Sequence, residues 1–67
     1  METKITNLFL DGNRFRVFAT IRNNEENTTF MPEVTAQDIL NWLHERESYY
    51  IELENKEVEL RRELLWQ

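Results

Sequence analysis

Apolar and polar residues alternate with a two-residue period along the first third of the chain. The pattern dissolves in a polar stretch and resumes from Ile39 with a three-to-four-residue period. A period of two marks half-buried strands, and a period near 3.6 marks a helix with one buried stripe. The first pattern is interrupted at Asp11-Gly12, a strong hairpin signal because glycine takes positive φ freely and aspartate tolerates it. With Asp11-Gly12 as the loop, Leu10 faces Asn13 and Leu8 faces Phe15. One sheet face then carries Leu8, Leu10, Phe15, Val17, Ala19 and Ile21 and forms the core. The other carries Ile5, Phe9, Arg14, Arg16, Phe18, Thr20 and Arg22. A three-residue loop is the alternative and would bury Ile5 and Phe9 instead.

The stretch "RNNEENTT" reads as a turn-rich connection, with a four-residue loop at Asn24 to Asn27. It leads into a short third strand from Thr28 to Met31, with Phe30 opposite Ile21. Pro32 ends the pairing because it has no N–H to give. Thr35 then has the chemistry of a helix N-cap, and Asp38 stands three residues on, as in a capping box. Val34 and Ile39 have the spacing of a hydrophobic staple. From Ala36 to Trp66 there is no glycine or proline. The expected fold is α+β: a three-stranded antiparallel meander over residues 1–34 and one long C-terminal α-helix over 35–66, in a single domain spanning 1–67.

Helix length changes this picture. Thirty-one helical residues reach ~46 Å, whereas an eight-residue strand reaches about 27 Å. The sheet can cover the helix only to about residue 52. The stripe of Ile39, Leu40, Leu43, Tyr50, Leu53, Leu60 and Leu64 continues past that point, with four-three spacing interrupted by Arg46 and Glu57. Leu53, Leu60, Leu64 and Leu65 would face water in a single copy, and Leu53, Leu60, Leu64 and Trp66 are the expected dimer contacts. Their simplest cover is a second helix, so a homodimer joined as an imperfect coiled coil is expected. Glu52–Lys56 and Glu57–Arg61 have the spacing of i,i+4 ion pairs.

Composition narrows the chemistry. There is no cysteine and one histidine, His44, so thiolate sites and multi-histidine metal sites within one chain are excluded. No glycine-rich phosphate loop and no evident nucleophile–base pair is present, and neither a cofactor nor catalysis is expected. No run approaches the roughly 20 apolar residues of a membrane span, and the setting expected is cytoplasmic. The charge is −5, divided as +2 over residues 1–24 and −7 over the remainder. A net acidic chain is poorly suited to general nucleic-acid binding, which depends on neutralising phosphates.

Three surfaces remain as candidates. Arg14, Arg16 and Arg22 with Phe18 make an arginine–aromatic face, which is either an ordinary solvated sheet face pairing with the acidic helix of a partner, a protein interface or, as a β-ribbon, a nucleic-acid surface. Glu45, Glu52 and Glu59, with Glu63, make an acidic ridge that could imitate DNA phosphates. Trp66 is either a dimer contact or an anchor for a partner. His44 reads as a solvated surface residue.

The run "FATIRNNEENTTFMPEVTAQDILNWLHE", with its "FAT" at Phe18 to Thr20 and "VTAQDIL" at Val34 to Leu40, resembles small bacteriophage-encoded host-modulating proteins. The resemblance implies stoichiometric binding to a bacterial host protein such as RNA polymerase, a nuclease or a CRISPR effector. It assigns no role to any single residue. The alternatives are a homo-oligomeric assembly module and a β-ribbon nucleic-acid binder.

Overall fold

A computed structural model describes residues 2–66. The chain runs β1 (Thr3–Asp11), β2 (Arg14–Ile21), β3 (Asn24–Phe30) and α1 (Ala36–Leu65). The strands form one antiparallel sheet in the order β1-β2-β3, and α1 lies across one face of it. The expected α+β meander-and-helix architecture is therefore the observed one.

The first turn is one residue later than expected. Asp11 pairs with Arg14, which leaves Gly12-Asn13 as the loop, with Gly12 at φ 64°. This is the arrangement of a type II′ turn, which needs positive φ only at its first central residue. A loop of Asp11-Gly12 would place aspartate there instead. Leu8 consequently faces Val17, and Leu10 faces Phe15. The pairing has moved by two positions, so each side chain keeps its face. A β-bulge at Thr6, between Ile5 and Asn7, then reverses the rest of β1. Ile5, expected on the outer face, thereby joins the core side and packs against Ala19, Ile21 and Leu43.

The second turn overturns the expected loop. It consists of Arg22 and Asn23, both at positive φ (47° and 72°), as in a type I′ turn. The residues assigned to a loop at Asn24 to Asn27 form the first half of β3, and Phe30 pairs with Phe15 rather than with Ile21. The amide of Asn24 bonds back to the carbonyls of Ile21 and Arg22 and holds the turn. The N–H of Arg22 donates to the Glu2 carbonyl across the sheet.

The helix starts where expected. Thr35 Oγ1 accepts from the Asp38 N–H at 3.2 Å, and the Asp38 carboxylate accepts from the Thr35 N–H at 2.9 Å, closing the capping box. Val34 and Ile39 line one cleft with Leu8 and Phe15. The core is small: Val17, Ala19 and Ile21 from β2 are fully buried under Ile39 and Leu43 of α1. Trp42 meets Phe30 edge-on at the β3 side. The 30-residue helix makes the molecule a rod, 55 Å long and 17 × 16 Å across. Among the described residues, no helix is long and apolar enough to cross a membrane.

Candidate interaction surfaces

The inner face of β3 is polar, and the helix matches it with polar groups. Glu26 projects from β3 toward α1, where the Arg46 guanidinium forks onto its carboxylate at 2.7 and 2.8 Å. The Tyr50 hydroxyl donates to the same carboxylate. Hydrogen bonds from Arg46, then from Tyr50, hold the Glu26 carboxyl below the usual range against its partial burial. The same carboxylate raises the Tyr50 phenol. Arg46 also lies over the Tyr49 and Tyr50 rings, at 4.6 and 5.6 Å. A second fork joins the turn to the helix: Arg22 Nε and Nη2 reach Glu54 at 2.6 and 2.5 Å. It lowers the Glu54 carboxyl and raises Arg22. Arg22 makes this contact from positive φ, a conformation that costs a non-glycine residue about 1–3 kcal/mol.

The second fork corrects the expected arginine face. Arg22 belongs to the β2–β3 turn and reaches across to α1, so it does not stand with Arg14 and Arg16. The remaining members are where they were expected, on the sheet face away from the helix. There Phe9 and Phe18 stack with centroids 5.9 Å apart, and Arg16 lies 5.8 Å above the Phe18 ring. Arg16 is also tethered within the sheet, to Asp11 at 3.8 Å and Asn27 at 3.4 Å. Arg14 is exposed beside them, and Phe9 keeps 41% of its surface open. The patch is an aromatic pair flanked by two arginines on a face nothing covers.

Glu45, Glu52 and Glu59 are all exposed along α1, as the acidic ridge requires, and His44 is exposed beside them. Lys56 pairs with Glu59 at 3.7 Å rather than with Glu52. Among the described residues, no group of three or more His, Cys, Asp or Glu side chains is placed to hold a metal ion.

Beyond Glu54, which Arg22 ties to the turn, Glu57 lines a hollow with Arg22, Asn23 and Asn24, and α1 runs on to Leu65, residues 55–65 spanning about 16 Å at 1.5 Å per residue. Leu53, Leu60 and Leu64 leave 46%, 41% and 70% of their surfaces exposed, and Trp66 leaves 85%. The three leucines form an open apolar groove of about 430 Å³ on the same side of the helix that the sheet covers further back. The four residues expected at a dimer contact are thus all exposed at the free end of the molecule.

The two ion-pair forks were absent from the sequence reading. Arg46 interrupting an apolar stripe was their visible sign, because a charge at a core position needs a buried partner. No family model, curated protein or solved structure matches the chain.

Proposed function

We propose that the protein acts without catalysis, as a homodimeric module that binds a protein target stoichiometrically, in the manner of phage-encoded inhibitors of bacterial host proteins. The observation that carries this reading is the free end of α1. Leu53, Leu60, Leu64 and Trp66 form an apolar surface at helical spacing on a chain whose own core contains few buried side chains. A small domain gains most from a partner where its own core is least able to stabilise it. In the bacterial cytoplasm, dimerisation would hold two copies of the outer sheet face on one particle.

The Phe9–Phe18 stack with Arg14 and Arg16 favours that outer face as the target-binding surface, since aromatic residues and arginine predominate at interface anchors. A β-ribbon nucleic-acid role is less well supported once Arg22 is engaged by Glu54. The test is retention of a bacterial protein from lysate by the immobilised chain, at a fixed molar ratio. Arg14→Glu/Arg16→Glu should abolish retention without altering the melting temperature. Retention that survives this double reversal would move the target site to the acidic ridge of Glu45, Glu52 and Glu59. Retention of nucleic acid, falling steeply with salt, would replace the reading.

A further inference from the structure

The free end of α1 constrains how a second copy could be seated. Leu53, Glu57, Leu60 and Leu64 follow the four-three spacing of a coiled-coil seam. They continue the stripe that Leu43, Arg46 and Tyr50 present to the sheet, so seam and sheet lie on one side of the helix. In a parallel pair, each sheet would have to occupy the space between the two helices just below Leu53. Helix against sheet requires about 10 Å on each side, whereas paired helices stand 8–10 Å apart. A straight helix cannot satisfy both within one turn.

We infer that the occupant of this groove is a second copy of the chain running antiparallel, with Leu53 of each copy against Leu64 of the other and Glu57 beside Leu60. Each body then lies beyond the free end of the other's helix, and the sheets do not meet. This inference rests on the self-association proposed above and adds its direction and register.

Charge supports the same arrangement. Antiparallel pairing at this register brings Lys56 of one copy to Glu63 of the other, and Arg61 near Glu54, whose carboxylate Arg22 of its own chain already forks. Glu57, which lines a hollow with Arg22, Asn23 and Asn24 at the edge of the sheet, comes within reach of Arg61 of the second copy. Parallel pairing would instead set Glu57 against Glu57 and Lys56 against Arg61. Sliding the antiparallel pair apart by one heptad, with Leu60 against Leu64, would set Arg61 against Arg61 and Glu63 against Glu63. Surface pairs are individually weak, so the sheets decide the direction and the charges decide the register.

The chain has no cysteine, which allows a direct test. Leu53→Cys and Leu64→Cys chains are made separately, then oxidised alone and as an equal mixture, with the mass of the uncrosslinked wild type measured alongside. Both positions are exposed, so neither change removes a core contact. The expected result is a disulfide-linked heterodimer in the mixture, at least tenfold more abundant than the linked product of either chain alone. Self-linking of Leu53→Cys, or a dimeric wild type whose mixture does not link, overturns the orientation and register while leaving self-association standing. A monomeric wild type overturns both.

Discussion

The two halves of α1 carry one apolar stripe and treat it differently. From Ile39 to Glu54 the stripe lies on the sheet, and the charge that breaks it, Arg46, has its partner Glu26 across the interface, while beside the stripe Glu54 has Arg22. From residue 55 to Leu65 the leucines are open, and the charge that breaks the stripe, Glu57, lines a hollow beside Arg22, Asn23 and Asn24 at the edge of the sheet. A polar residue on a buried stripe is therefore no defect when the opposing surface supplies its complement. The free half has the pattern of a stripe whose complement lies outside the chain.

The largest expected effect falls in the covered half. Leu43→Ala removes a buried side chain from the Ala19–Ile21 cluster and should cost about 2–5 kcal/mol. Against a total of roughly 3–10 kcal/mol for a domain of this size, calorimetry should show a melting temperature lower by tens of degrees, or no transition. Leu64→Ala should leave the fold of a single chain unchanged. Equal losses from the two would erase the distinction between the halves.

Next in size is Gly12→Val. Nothing lies within 4 Å of the added Cβ, so the cost is backbone strain at positive φ alone, about 1–3 kcal/mol. Sheet stability should fall while the folded chains associate as tightly as before. If association weakened in parallel, the free end of α1 would depend on the sheet more than its isolation implies.

Smaller effects distinguish the charges. Glu26→Gln should lower stability at neutral pH by leaving Arg46 without its carboxylate, whereas Glu59→Gln on the exposed ridge should stay within about 0.5 kcal/mol. The folded-state pKa values of Glu26 and Glu54 lie below that of an unfolded glutamate, about 4.3. Their contribution is complete above that value and is lost as pH falls through the lower folded-state values. Glutamine at both positions should flatten the acid limb of a stability–pH profile. An acid limb identical to wild type would show that these forks do not stabilise the fold.

The same contrast explains what the sequence disclosed. The faces of β2 and the start of α1 were legible because local rules determine them: strict alternation in one, the Thr35–Asp38 box in the other. The second half of β3 was legible but the first half was not, because Asn24, Glu26 and Thr28 on its inward face give no apolar alternation. The bulge at Thr6 leaves no mark in a single sequence, and it moved Ile5 to the core. Arg22 was misplaced because its position depends on which two residues make the second turn. The exposed leucines were legible from arithmetic, since the helix is longer than the strands that could cover it.

Sedimentation equilibrium on the wild-type chain, from low to high micromolar concentration, with Leu60→Glu alongside, tests the central claim most directly. The wild-type mass should rise to twice that of one chain, and a folded Leu60→Glu variant should remain at the mass of one. A wild type that stays monomeric through high micromolar concentration, or a Leu60→Glu chain that dimerises equally well, would contradict it.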